Sequence, residues 1–193
     1  IDFFTVHPQA YWEWFAQEIA REGVAPNAAH RFMADLERAG KLSAVVTQNI
    51  DGLHQQAGSQ RVLELHGNWS RLTCTGCGEH FTLDDVDGAR SGAVPRCPAC
   101  SSVLRPDIVF YGEMLDNDVV EGAVRAISEA DLLIVAGTSL VVYPAAGLID
   151  YYAGERLVLM NATPTPYDSH ADLIIREPVG QVFQELGRRS RQS

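Results

Sequence analysis

The sequence predicts an α/β protein, with a Rossmann-like parallel sheet, helices on both faces and an inserted small zinc-binding module. Three observations predict it. Short apolar runs alternate with helical stretches along most of the chain, the order expected of a parallel sheet covered by helices. One stretch, 70–105, breaks that rhythm with Gly, Pro, charge and all four cysteines. The 193 residues, 46% of them hydrophobic, suffice for one substantial core and a small satellite. The expected division is therefore 1–69 with 106–193 as the Rossmann-type domain and 70–105 as the zinc module.

From the front, Pro8 suits the first turn of a helix carrying Tyr11, Trp12, Trp14, Phe15 and Ile19, with Gly23 ending it. Asn27 is a good N-cap for a second helix, with Phe32, Met33 and Leu36 on one face and Gly40 closing it. Apolar runs at 42–46, 62–65, 132–136, 157–160 and 173–175 read as strands buried on both faces of a parallel sheet. Helices are expected at 116–129, capped by Asp116, at 144–152 and at 179–186.

The cysteines form two close pairs, Cys74-x2-Cys77 and Cys97-x2-Cys100, a spacing that fits one tetrahedral Zn²⁺. Turn residues inside each pair (Thr75-Gly76 and Pro98-Ala99) let two thiolates point at a common centre. Four sulfurs fill the coordination shell, so such a metal is structural. Paired disulfides would need an oxidising compartment. The sequence has neither a charged start followed by an apolar run and small-residue cleavage site nor an apolar stretch of spanning length. The expected setting is the cytoplasm, with no membrane partner. A net charge of −10 argues against nucleic acid as a partner, because phosphate binding needs surplus Lys and Arg; an acidic surface suits Lys-rich protein segments instead.

In open α/β sheets, ligands collect outside the carboxyl ends of the strands, and there the sequence is polar. Thr47-Gln48-Asn49-Ile50-Asp51-Gly52-Leu53-His54 follows the first predicted strand, His66-Gly67-Asn68 the second, Gly137-Thr138-Ser139 the third and Asn161 the fourth. Gly137 admits close approach of a ligand, while Thr138 and Ser139 offer hydroxyl and main-chain N–H groups to a phosphate or ribose, although such a turn also serves as a plain helix lead-in. Of six histidines, His66 alone combines a strand end, a neighbouring glycine and topological closeness to the Gln48-to-Asp51 turn. Imidazole titrates near neutrality and can take a proton there.

These motifs, with Ile108-Val109-Phe110-Tyr111-Gly112-Glu113 and Gly137-Thr138-Ser139-Leu140, stand in the order and spacing of the sirtuins, the NAD-dependent protein-lysine deacylases, which the chain resembles over nearly its whole length. The resemblance implies NAD as co-substrate, acyl-lysine proteins or peptides as partners, and transferase chemistry yielding nicotinamide, free lysine and O-acyl-ADP-ribose. It makes His66 the catalytic base. It assigns Gln48, Asn49, Ile50 and Asp51 to nicotinamide and its ribose, Gly137, Thr138 and Ser139 to ribose and phosphate, Asn161 to the adenosine ribose, and Val179 to the adenine side. Val109, Phe110, Gly112, Glu113 and Val141 are implied to line the peptide, which adds as a strand. The residue chemistry agrees: Asp51 and the backbone near Ile50 can meet a carboxamide, which both donates and accepts.

The family also carries a first strand and a Gly-Ala-Gly-type loop that this sequence lacks, so the chain is expected to be missing its front. A sheet without that central strand would have unpaired backbone groups costing about 1–3 kcal/mol each. Acetyl is the default acyl group. The rival expectation is a catalytically incompetent zinc-containing homologue that binds acyl-lysine without turnover.

Overall fold

In chain order the elements are α1 (Asp2–Val6), α2 (Pro8–Glu18), α3 (Ala28–Arg38), β1 (Val45–Thr47), α4 (Leu53–Ala57), β2 (Val62–Glu64), β3 (Gly67–Cys74), β4 (His80–Thr82), β5 (Leu104–Ile108), α5 (Asn117–Ser128), β6 (Leu133–Ala136), β7 (Leu157–Met160), β8 (Leu173–Ile175) and α6 (Val179–Ser190). They belong to a computed structural model that describes residues 1–20 and 23–190. Two compact units emerge. The first comprises Ile1–Ala25, Asn49–Gly52 and His66–Leu115; the second comprises Pro26–Gln48, Leu53–Leu65 and Asp116–Ser193.

The second unit is the parallel α/β part. Strands β1 and β2 pair in parallel, Val45 opposite Val62 and Thr47 opposite Glu64. A separate parallel sheet runs β6-β7-β8. Leu63, Leu65 and Val46 share a core with Ala123 and Ile127 of α5, while Leu157 and Leu159 of β7 pack with Leu140, Ala146 and Ile149. Both caps expected for its helices form. Asn27 Oδ1 accepts from the Ala29 and His30 amides, and His30 Nδ1 accepts in return from the Asn27 amide, completing a reciprocal box. Asp116 Oδ1 accepts from the Asp118 and Val119 amides. Such caps contribute about 1 kcal/mol each. Phe32 of α3 meets Phe183 of α6 with ring centroids 5.5 Å apart.

Several expectations need correction here. The first strand begins at Val45, not Leu42, because pairing starts only where β2 supplies a partner, with the Val45 amide bonded to Arg61 O. The strands are not all buried on both faces. Central β7 is, but edge strand β8 exposes Leu173 and Ile174. The stretch at 144–152 is a 3-10 helix, Ala145–Tyr151, with Gly147 as its third residue, where glycine weakens α-helix propagation. Helices α1 and α4 are short and carry no periodic pattern to announce them.

The first unit is built around aromatic rings. Pro8 occupies the first turn of α2, which buries Tyr11, Trp12 and Phe15 and leaves Trp14 half exposed with its ring centroid 5.8 Å from that of Tyr11. The helix stops at Glu18, ahead of the expected Gly23, with the Ile19 and Ala20 amides both donating to Phe15 O. Trp12 and Phe15 are fully buried against Leu72, Leu83 and Leu104, and burial of a side chain the size of Phe is worth about 1.5–3 kcal/mol. The sheet of this unit is antiparallel, in the order β4-β3-β5.

The β3–β5 ladder jumps in register between Asn68, opposite Asp107, and Leu72, opposite Pro106. Proline has no N–H to donate, and bulges are where a sheet tolerates it. Residues 69–71 are thus released from the ladder. Just before the jump, Gly67 has φ +76°, and a Cβ on it would lie 2.0 Å from the Asp107 carbonyl oxygen. No side chain fits there. Gly67→Ala should therefore cost roughly 2–4 kcal/mol of stability, read as a lower urea midpoint at unchanged m-value; wild-type stability in that variant would contradict this close approach.

Candidate functional site

In the first unit, two turns are tied to each other. The Trp69 amide, released by the bulge, donates to Ile50 O at 3.1 Å. Gly52 lies against Asn68, whose side-chain nitrogen is 3.1 Å from where a Gly52 Cβ would stand. Buried Asn68 is itself held, its Oδ1 accepting from the Ser70 amide (2.9 Å) and hydroxyl (2.8 Å). Asn49, Ile50 and Asp51 are thereby fixed beside the His66–Asn68 turn. His66 is half-buried, and its carbonyl accepts from the Val109 amide at 3.0 Å. The turn that carries the His66 imidazole is thus joined through the backbone to the turn that carries the Asn49 carboxamide and the Asp51 carboxylate, residue types suited to proton transfer beside a polar ligand.

Val109 follows β5 and leads into a clamp. Glu113 accepts two bonds from Arg105 (2.9 and 3.0 Å) and one from the Phe110 amide (2.9 Å), and its own amide donates to Phe110 O. The Arg105 hydrogen bonds are the main reason the Glu113 carboxyl sits below its ordinary pKa. Arg105 also donates to Ile108 O and lies 5.0 Å from the Phe110 ring centroid. Gly112, at φ +90°, is exposed at the tip with open space around it.

The four cysteines converge. Their sulfurs lie within 4.8 Å of one another, with Cys74 to Cys100 at 3.4 Å and Cys77 to Cys97 at 3.7 Å, and none is in a disulfide. A tetrahedron with Zn–S arms of ~2.3 Å has edges of about 3.8 Å, so the set fits one zinc ion. The Gly76 and Cys77 amides both donate to Cys74 Sγ, and the Ser102 hydroxyl and then its amide draw the Cys100 thiol down to about 6. Both favour thiolates at Cys74 and Cys100, the form that binds metal, whereas the neighbouring Cys74 thiol pushes Cys77 up.

In the second unit, Gly137 and Asn161 stand side by side at the carboxyl ends of β6 and β7. The Gly137 amide donates to Met160 O (2.9 Å) and the Asn161 amide to Ile175 O (3.0 Å). Gly137 has φ +66° and nothing within 4 Å of a Cβ position, the open backbone that a phosphate or ribose needs. Thr138 is half-buried, its hydroxyl accepting from the Leu140 amide, and Ser139 is exposed. Val141 is exposed in the same loop, Gln48 is half-buried directly after β1, and Val179 begins α6. The sequence-predicted residues thus fall into two sets. The first unit holds Asn49, Ile50, Asp51, His66, Val109, Phe110, Gly112 and Glu113; the second holds Gln48, Gly137, Thr138, Ser139, Val141, Asn161 and Val179.

A model of the Sir2 family matches residues 1–144. The chain belongs to the Sir2 family. This Sir2-family chain is 48% identical over 184 residues to an NAD-dependent protein deacetylase of Clostridium acetobutylicum, covering 95% of this chain and 75% of the relative. It is 45% identical over 182 residues to another from Thermotoga maritima, covering 90% and 72%. A solved structure of Sir2 with p53 peptide and NAD+ superposes at TM-score 0.89 with 42% identity, covering all of this chain and 82% of that one. A structure of Sir2 bound to acetylated peptide gives TM-score 0.89 at 39% identity, with coverage of 100% and 82%. The Rossmann-like α/β class expected from the sequence is the fold of this family.

Sequence reasoning named Asn68 only as part of its turn and missed Arg105, Trp69 and Ser102 as supporting residues. Nothing local marks them, since Arg105 meets Glu113 across eight positions and Trp69 matters through its backbone.

Two outcomes are expected of this Sir2-family chain. Metal analysis should find one zinc per chain, and chelation should disorder the 70–105 stretch; far less than one zinc, with no effect of chelator, would overturn the assignment. The Glu113 carboxyl is held low in the folded state, so its contribution is present above the unfolded carboxylate range, near pH 4.3, and is lost as pH falls through the depressed folded value. Between pH 6 and pH 3, wild type should lose more stability than Glu113→Gln; equal losses would remove the clamp's electrostatic role.

Proposed function

We propose that the chain is an NAD-dependent protein-lysine deacetylase, acting on acyl-lysine proteins or peptides. The observation that carries this reading is the tie between the Asn49–Gly52 turn and the His66–Asn68 turn through the Trp69-to-Ile50 hydrogen bond, which joins the backbone that carries an imidazole to the backbone that carries a carboxamide and a carboxylate. Supporting it are the relatives named as NAD-dependent protein deacetylases and the similar Sir2 structures described with NAD+ and acetylated peptide.

In this reading NAD supplies an electrophilic ribose C1′ with nicotinamide as leaving group. Asn49, Ile50 and Asp51, with Gln48, hold the carboxamide and orient the adjoining ribose. Gly137, Thr138 and Ser139 receive ribose and phosphate, Asn161 the adenosine ribose, and Val179 the adenine side. Val109, Phe110 and Gly112 lie along the peptide, Glu113 keeps their backbone in shape from its clamp with Arg105, and Val141 flanks the peptide in the family's manner. The acyl oxygen bonds to C1′ as nicotinamide departs; His66 then takes the proton from a ribose hydroxyl so that the hydroxyl oxygen attacks the resulting imidate carbon, and water releases the free lysine. The balance is acyl-lysine, NAD and water giving lysine, nicotinamide and O-acyl-ADP-ribose. Acetyl is the default acyl group, with breadth toward other acyl chains part of the proposal.

Zinc takes no step. Four thiolates close its shell and leave no position for water, so the 70–105 module is proposed as a brace. Thiols kept out of disulfides suit the cytoplasm, and among the described residues no helix is long and apolar enough to cross a membrane.

Incubating the protein with NAD and an acetyl-lysine peptide should release nicotinamide and deacetylated peptide together. His66→Ala should lower that rate by roughly 10²- to 10⁴-fold, the range for a positioned base, while leaving peptide binding near wild type. Peptide binding without nicotinamide release from wild type would instead identify a non-catalytic acyl-lysine reader, and near wild-type turnover in His66→Ala would refute the base.

A further inference from the structure

The loop that follows β7 is held by an arginine that no sequence motif singles out. Arg176, the residue after β8, donates through Nη1 to Asn161 O and Thr163 O, each at 3.0 Å, and through Nη2 to Asp168. Asp168 turns its other oxygen to Thr165, accepting from the hydroxyl at 2.8 Å and the amide at 3.1 Å. These bonds from Thr165, then the Arg176 pairing, keep the Asp168 carboxyl below its ordinary pKa. One guanidinium therefore gathers two main-chain carbonyls and a carboxylate, and closes 161–168 onto the end of β8.

That loop begins at the carboxyl end of a parallel strand, where α/β sheets bind ligands. At its head the Asn161 side-chain nitrogen donates to Thr163 O (2.9 Å) and Oγ1 (3.2 Å). Thr163 is thus the common partner of the Asn161 carboxamide and of Arg176. With its nitrogen committed to Thr163, the carboxamide has a set orientation, and its oxygen is the atom available to accept from a hydroxyl. A guanidinium has the rigid fork for this three-way contact, whereas lysine has a single point charge.

We propose that Arg176, with Asp168 as its counter-ion, is a positioning residue that orients Asn161 for the co-substrate's adenosine ribose. This rests on the proposed NAD-dependent reading. Arg176 touches no reacting atom, so its loss weakens NAD binding and leaves the chemical step intact at saturation. It also acts through Asn161, so the two residues are energetically coupled.

The test is calorimetric titration of the full chain with NAD and with ADP-ribose, for wild type, Arg176→Gln, Asn161→Ala, the double variant and Arg176→Lys, with nicotinamide release measured alongside. Arg176→Gln should raise Kd and KM for NAD by about three- to tenfold with kcat little changed. The double variant should bind about as weakly as Asn161→Ala alone, the non-additivity expected of coupled neighbours. Arg176→Lys, which keeps charge but not the fork, should recover part of the loss, and thermal melts establish that each variant is folded. Unchanged affinity in folded Arg176→Gln, or losses that simply add, overturns the positioning role while leaving the NAD reading standing. Wild type that binds neither NAD nor ADP-ribose overturns that reading and this assignment with it.

Discussion

The missing side chain at position 67 is the constraint on which the site depends. Because the Asp107 carbonyl passes within 2.0 Å of where a Cβ would be, β3 and β5 can meet at the Gly67–Ile108 pair only if residue 67 is glycine. That pairing brings the Val109 amide onto His66 O and sets the ladder that breaks at Pro106. The break turns the Trp69 amide away from β5 and toward Ile50. A left-handed glycine, a proline without a donor and a bulge thus act in series. Each would weaken a sheet alone, and together they hold His66 and the Asn49–Gly52 turn at one place. Local departures from regular structure are concentrated where sequence reasoning looks for chemistry.

What the sequence reveals of this fold follows the range of the interactions involved. The Asn27 and Asp116 caps complete themselves within three residues, and the cysteine knuckles are nearly as local, so both are legible. Strands β7 and β8 match their apolar runs residue for residue. Strand β1 does not, since its start is decided by where β2 begins, a fact held in residues 61–62 and not in 42–44. Burial is less legible still. Leu173 and Ile174 are as apolar as Leu157 and Val158, and only their place at a sheet edge exposes them. The candidate site divides the same way. His66, Gly67 and Asn49 announce themselves by residue type at strand ends, whereas Trp69 contributes a backbone amide and any residue but proline could supply one.

The two arginines at the candidate sites show how a chain of net charge −10 uses its few cations. Arg105 and Arg176 each join a carboxylate to backbone carbonyl groups, and all four side chains in these pairs are about a quarter to a third exposed. Other ion pairs, such as Arg38 with Asp35 and Arg90 with Asp84, are far more open, and exposed pairs contribute about 0–1 kcal/mol. The difference is one of purpose. A surface pair ties one side chain to another, while a guanidinium fork bonded to carbonyls shapes the main chain itself, in one case around Phe110 and in the other around Asn161.

Strand β3 runs from the His66 turn to the cysteine cluster. Gly67 begins it beside His66, and Cys74, one of the four clustered cysteines, ends it. Eight residues at about 3.3 Å each would reach about 26 Å if fully regular, and the bulge shortens that without closing it. At such a distance an ion closed in by four sulfurs would neither polarise a substrate carbonyl nor activate a water near His66. It can, however, fix the far end of the strand. If Cys74 were unanchored, β3 could slip against β5, and a slip of one residue would move Gly67 off Asp107 and put a side chain where none fits. An ion held by the four cysteines would therefore act on the candidate site through register, transmitted along the backbone to position 67, where a Cβ would meet the Asp107 carbonyl.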